Sequence, residues 1–544
     1  MRVLTLLTAL LALALLLPTT TLGAPPDTVR HPVPPTPGQR VDPRQVATLP
    51  PTGDTPEQLR QTPRHFPVDQ ATYARLKADA DAAASARDRG AEGGLGPSPS
   101  PQFATLNSTQ TGGWNPPDGA LAVGPNSVLT GANEALAIFD KASGALKVGP
   151  VGFASFFRDT GASSVYDPRA LFDAGNANGG AGGGSGRFVL LATDGSNFTL
   201  AVSQTDSPEV SGTWCTYLIN GVTSNLDGST DWVDYPSLGM DGDSLYITSN
   251  QFQNGSNAFQ YARLMVLPKA WVYPNATTGA CPVIPSGTGQ TGGGDFWNLQ
   301  NPGGGAAFTV QPATEPDALP GTGGTMYFVN AIWSSGSNLV VRSVTRGQTG
   351  PVLNDPNWVS SGFIASYNLP ASVPQPNTGA KIDSGDDRLL GAVFRYGSIF
   401  TANTTRTTSL SSSANPYANV QWYRITPTGA TTSVGASNAI TNPSVSFFFP
   451  GVMPVCATGP TCSTPKIVVE LSASGRSQPA SAAVTVGGTP SVFGNGVGGY
   501  RLNSRWGDYP AMAADPSASG TAWFFGEYAR TTTSWGTATS SLTP

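Results

Sequence analysis

The sequence predicts an all-β chain folded as a single seven-bladed β-propeller with an N-terminal extended and helical extension. Three observations carry this expectation. Strand-sized runs fill the chain beyond residue 105, no long helical period interrupts them, and one layout recurs seven times. The runs LAIF, FVLLAT, SLYITS, RLMVL, MYFVNAIW, LVVRSV, IVVEL and AWFFGEY are apolar or alternating, β-branched or aromatic, and bounded by Gly, Ser, Asn and Pro. The clearest recurrence sets Asp234-Tyr235-Pro236-Ser237-Leu238-Gly239-Met240-Asp241 against Asp508-Tyr509-Pro510-Ala511-Met512-Ala513-Ala514-Asp515. Each continues into an aromatic strand. Units of this layout start near residues 116, 165, 234, 314, 386, 447 and 508. Their spacing holds one four-stranded blade of roughly 40 to 50 residues plus loop insertions. Small residues such as Gly239, Gly391 and Ala513 are expected at a crowded central axis, and closure into a ring is expected to cover the exposed blade edges.

Ahead of this domain, expected at 106–544, lie two segments. Arg2, the uncharged Leu-rich run Val3 to Leu17 and the small residues up to Ala24 form a secretory signal peptide, residues 1–24. Residues 25–105 are a Pro-rich spacer or propeptide of extended chain. One helix interrupts it near Val68 to Asp88, with Asp69 as its cap.

Four cysteines in an exported chain imply two disulfides. Of the three possible pairings, the expected one joins the close couple Cys456–Cys462 and leaves Cys215–Cys281. No stretch after the signal peptide is long and apolar enough to span a bilayer, so the mature protein is expected outside the cell or at its surface, as a monomer. The net charge of -5 is weak and diffuse, which argues against a nucleic-acid partner. Both histidines, His31 and His65, precede residue 105. A Ser-His-acid triad within the domain is therefore excluded, no G-x-S-x-G elbow is present, and zinc lacks its usual ligands. Any hydrolytic chemistry falls to carboxylates.

The motifs PPDGALAVGPN, VDYPSLGMDGDSLYITSNQF, DSGDDRLLGAVFRYGSIFTAN and SRWGDYPAMAADPSASGTAWFFGEYA resemble those of a broad group of secreted, propeller-like bacterial proteins. Their layout is also similar to the sialidase-type propeller. The resemblance covers about residues 112 to 535 and implies a fold, with no single reaction attached. The sialidase Asp-box has no clean copy here, since Asp227-Gly228-Ser229-Thr230-Asp231-Trp232 matches it only in part.

A propeller gathers the loops that lead into its innermost strands around one mouth. Aligning the units places Asp118, Asp167 with Arg169, Asp234, Glu315 or Asp317, Asp386 with Asp387 and Arg388, and Asp508 with Arg505 there. The catalytic candidates are Asp234, Asp387, Asp508 and Glu527, since crowded carboxylates shift one another's pKa as glycosidase pairs do. The substrate-binding candidates are Arg388, Arg505, Trp506 and Tyr509, a fork of donors beside flat apolar platforms. An Asp before a Tyr-Pro or Pro-Arg step also caps a turn, which is the competing structural role. Asp241 and Asp243 are candidate ligands for Ca²⁺, although the full calcium-loop pattern is missing, and no other cofactor is expected. Three readings follow. The first is a secreted propeller that binds a glycan or another extracellular or cell-surface partner. The second is a polysaccharide-acting hydrolase or lyase using mouth carboxylates, and the third is a structural protein of the cell envelope.

Overall fold

The computed structural model describes residues 30–544 except 51–59, 62–63, 99–101, 160, 163, 176–185, 212, 226–227, 286–290, 320, 322–323, 360–363, 365, 407–415, 429–430 and 460–461. The signal-peptide expectation and the Gly-rich run at 178–184 lie outside the described residues.

Among the described residues, seven antiparallel meanders follow one another along the chain. Their first strands are β1 (Ala120–Val123), β2 (Tyr166–Asp173), β3 (Thr230–Met240), β4 (Gln311–Thr314), β5 (Leu389–Arg395), β6 (Val445–Val455) and β7 (Ala511–Ala514). Each hairpins into the strands after it, and a parallel pairing of Ala313 with Ala392 joins the β4 and β5 meanders into one nine-stranded sheet. Every first strand packs on the next, and β7 returns to β1. The sheets are stacked face on face, so both faces of a strand are buried and successive residues serve different interfaces. Phe188 and Leu190 join the core between the first two meanders, with Leu129, Ile138 and Trp214. Val189 and Leu191, between them in sequence, join Val233, Ile247 and Met265 in the next core. This is why FVLLAT reads as a continuous apolar run. The series ends where Trp523 and Phe525 of the seventh meander pack on Leu121 and Val123 of the first.

The seventh meander takes its outer strand from far upstream, where Gln102–Asn107 pairs antiparallel with Trp535–Leu542. The expected domain boundary at residue 105 therefore falls inside a strand of the last sheet. Earlier residues are also incorporated. Gln39–Val41 extends the second sheet at Trp214, and Arg30–His31 extends the third at Phe296. The helix α1 (Gln70–Ser85) is N-capped by Asp69, whose Oδ1 accepts from the Thr72 N–H at 2.8 Å. Tyr73, Lys77, Ala80 and Ala84 form its buried face.

The disulfides are Cys215–Cys281 and Cys456–Cys462, the expected pairing. Among the described residues, no helix is long and apolar enough to cross a membrane.

Two expectations about the axis need correction. Gly239 is crowded as expected, since a Cβ there would meet Pro312 Cβ at 2.6 Å, but a Cβ on Gly391 would meet nothing within 4 Å. Gly391 faces open space. The fourth unit also begins at Gln311 rather than 314, so Glu315 and Asp317 follow β4 instead of preceding it. They lie away from the loops with which they were aligned.

Candidate functional site

The seven first strands begin at one end of the molecule, here called upstream, and the residues leading into them meet there. In four meanders the first strand is bulged at this point: between Tyr166 and Arg169, Asp234 and Ser237, Leu389 and Ala392, and Phe448 and Gly451. A bulge re-aims the side chains it carries. Asp167, Tyr235 and Phe449 adopt positive φ at three of these bulges. The Tyr235 and Tyr509 rings pack 4.6 Å apart, and the Tyr509 hydroxyl donates to Asp167. Asp118 accepts from the Asp508 N–H at 2.7 Å and from Asn133 Nδ2 at 2.8 Å.

The site candidates converge at this end, but as a closed network. Asp234, Asp387, Asp508 and Glu527 are each at most 7% exposed. Arg388 grips Asp386 through Nε at 2.7 Å and Nη2 at 2.8 Å, and its guanidinium lies 4.7 Å from the Tyr235 ring. Arg505 donates to Asp508 at 3.2 Å. Trp506 is fully buried, with its indole N–H on Ser472 Oγ, and presents no platform to a ligand. Asp387 accepts from the Ser334 N–H at 3.0 Å, and Glu527 from the Gly507 N–H at 2.7 Å. These acids hold backbone turns.

Two residues that the sequence reading left in the spacer complete the network. Arg64 donates from Nε to Asp508 Oδ2 at 2.8 Å, makes a second contact through Nη2 with Oδ1, and reaches Asp383 from Nη1 at 3.0 Å. His65 Nδ1 lies 3.2 Å from Asp234 Oδ2, and the His65 carbonyl accepts from Arg388. Phe66 stacks on Tyr73, whose helix α1 also brings Lys77 to Asp383 at 2.9 Å. Arg64 through Lys77 thus cover the upstream end. An imidazole does reach the site, carried from outside the domain in which none was found. The one sequence signal was a charged and aromatic triplet between Pro63 and Pro67 in an otherwise bland segment.

Electrostatics follow from this burial. Desolvation and then the Asp508 carboxylate push Asp118 up to about 7. Desolvation and then Asp386 push Asp387 up to about 8. Burial raises Glu527 well above the usual carboxylate range. Burial would also raise Asp508, but Arg505 and Arg64 outweigh it and hold that carboxyl below its ordinary value.

The calcium candidates serve a turn. Asp241 Oδ1 accepts from the N–H groups of Asp243 and Ser244 at 2.8 Å, Oδ2 accepts from the Tyr246 hydroxyl, and Arg346 bridges Asp241 and Asp243. Among the described residues, no group of three or more His, Cys, Asp or Glu is placed to hold a metal ion.

The opposite, downstream end is open. A cavity of about 420 Å³ runs along the axis and is lined by all seven first strands. Leu121, Leu238, Met240, Leu390, Met453 and Met512 supply much of its apolar wall. Its ionisable lining consists of Arg169, Asp317, Arg395 and Asp515. No candidate named from the sequence as catalytic, substrate-binding or metal-ligating lines it. The signal was present in the small and apolar residues of each first strand, which read as axial packing.

Fold and site together define a mostly-β protein of consecutive meanders in cyclic contact around an axial cavity. No known family matches the sequence, and no curated protein is similar to it. Among solved structures, the chain is similar to a Trypanosoma rangeli sialidase mutant displaying trans-sialidase activity, with 13% identity and a TM-score of 0.34 over 75% of this chain. It spans 57% of that sialidase chain. It is also similar to a fucoside complex of the Aleuria aurantia lectin, with 10% identity and a TM-score of 0.30, covering 66% of this chain and 87% of the lectin. A third likeness is to a family 43 arabinoxylan arabinofuranohydrolase from Bacillus subtilis, with 14% identity and a TM-score of 0.28, covering 74% and 80% of the two chains.

Proposed function

We propose that this protein is an exported, monomeric, seven-bladed β-propeller that binds an extracellular ligand in its axial channel without turning it over. The observation that carries this reading is the contrast between the two ends of the axis. Upstream, the acids that a glycosidase would use are buried, paired with arginines or backbone N–H groups, and roofed by Arg64 to Lys77. Downstream, the cavity of about 420 Å³ falls in the size range of ligand sites, with walls that combine Leu and Met side chains with polar groups. Seven meanders, cyclic contacts between first strands and the completing strand Gln102–Asn107 support the blade count and closure. Two disulfides support export.

A glycan remains a candidate ligand for the upstream face if the covering segment leaves it. The polysaccharide-acting reading has one specific support. Asp118 and Asp508 are neighbours whose pKa values are driven apart, as in an acid and base pair. A screen of polysaccharide hydrolysis with the intact protein and with Asp508→Asn separates the readings. No turnover is expected from either protein. Turnover by the intact protein that is lost in Asp508→Asn would replace binding with catalysis.

A further inference from the structure

The charges of the channel wall are balanced except at one residue. Asp317 is gripped by Arg395, through Nε at 2.5 Å and Nη2 at 2.9 Å. Asp515 accepts from Lys141 Nζ at 2.8 Å and from the Trp523 indole at 2.8 Å. Arg169 makes no ion pair with any described residue. Its Nε donates to the Pro236 carbonyl at 3.0 Å, its buried Nη2 has no hydrogen-bond partner among the described residues, and the side chain lines the cavity. A guanidinium is always charged, and one that lines a cavity without an ion pair favours an anion there.

Arg169 is also fixed in depth and orientation. Its guanidinium lies 3.8 Å from the centre of the Tyr509 ring and 5.4 Å from that of Tyr235, the two aromatics that close the upstream end. The cation therefore forms part of the channel floor. Above it Leu238, Leu390, Met453 and Met512 line the wall beside the polar Ser237, Gln311 and Thr314, and Leu319, also on the lining, is 47% exposed.

We infer that the channel takes an elongated amphipathic carboxylate head first, its carboxylate paired with Arg169 and its aliphatic body against the apolar wall. This rests on the channel being the ligand site and adds the class of ligand. The planar fork of Arg169 suits a carboxylate, and its low-dielectric surroundings strengthen the pair. An amine would meet a like charge at the floor. A neutral oligosaccharide would leave the cation at the floor without a counter-charge.

The test is calorimetric titration of the full mature chain and two variants with decanoate, decanol and decylamine, alongside a neutral oligosaccharide. Arg169→Gln removes the cation, while Gly391→Leu fills the channel from a position where an added Cβ meets nothing within 4 Å. Thermal unfolding checks that each variant is folded. Decanoate is expected to bind one to one, about tenfold or more tighter than decanol, with decylamine weakest. Arg169→Gln is expected to bring decanoate to the level of decanol, and Gly391→Leu to abolish both. Equal binding of decanoate and decanol, no binding of decanoate, or a carboxylate preference that survives Arg169→Gln would overturn the inference. If Gly391→Leu then still abolished binding of decanol or of the oligosaccharide, the channel reading would stand alone. Decanoate binding unchanged in Gly391→Leu would overturn both.

Discussion

Arg64 carries two carboxylates, Asp508 and Asp383, in a setting where its own side chain is only 6% exposed. Removing one partner from such a cluster leaves uncompensated buried charge, which outweighs any regained freedom. Arg64→Ala is expected to lower stability by about 3 to 5 kcal/mol in urea unfolding, and loss of the exposed Arg44–Asp42 pair to change it far less. Asp387 gives a pH-dependent counterpart. Its proton is held in the fold up to about pH 8, whereas an unfolded Asp releases it near pH 4. Between those values the folded state binds more protons, so this residue's contribution makes stability fall as pH rises from about 4 to about 8. Asp118 acts in the same direction up to about pH 7. Asp383, Asp386 and Asp508, held low by their cations against the pull of burial, act oppositely, and their contribution is lost as pH falls below about 4. Asp387→Asn, which mimics the protonated acid, is expected to flatten the decline between pH 5 and 8 in urea midpoints. An unchanged slope would mean that Asp387 is ionised in the fold. The convergence of these acids was legible because each precedes or opens a recurring strand. Their closure was not, because Arg64 and His65 sit in Pro-rich chain whose composition says nothing about where it docks.

At the scale of elements, the first strands are held by close approach. A Cβ on Gly119 would fall 2.0 Å from Phe525 Cε1, in the contact between the first and seventh meanders. Gly119→Ala is expected to cost about 1 to 3 kcal/mol of stability, and Gly391→Ala almost nothing. A comparable loss in both would mean that residue 391 does not face the channel. The disulfides differ in the same graded way. Cys215–Cys281 spans 66 residues and Cys456–Cys462 only 6, so opening the first is expected to cost about 4 kcal/mol and the second about 2 by chain entropy. Serine pairs at each site, compared by thermal unfolding, check the order. Strands were the most legible part of this fold, since double-sided burial makes them continuous apolar runs such as FVLLAT. The unit starts were legible wherever a Tyr-Pro or Phe-Pro step marks the bulge. In the fourth unit Gln311-Pro312 lies inside the strand, and the alignment slipped by three residues there. Gly391 looked like Gly239 in sequence, and only the spacing of its neighbours separates a packed glycine from one facing the cavity.

For the whole molecule, the proposed channel depends on the chain returning to its start. Leu121 and Val123 share a core with Trp523 and Phe525, and Gln102–Asn107 forms the last strand of the last meander. The structural part played by residues before 105 was invisible to composition, because extended Pro-rich chain carries no sign of pairing, yet Arg30–His31, Gln39–Val41 and Gln102–Asn107 all join sheets. An open chain of sandwiches would have no axial cavity, no shared upstream network and no floor at Arg169. Closure is tested most directly by an engineered bridge at its seam, where Thr105 Oγ1 lies 2.7 Å from Thr537 Oγ1 across a sequence separation of 432 residues. In the double variant Thr105→Cys, Thr537→Cys, oxidation is expected to give a monomer whose non-reducing peptide map links residue 105 to residue 537. Two free thiols, or a 105–537 link found only between molecules, would contradict the closed ring.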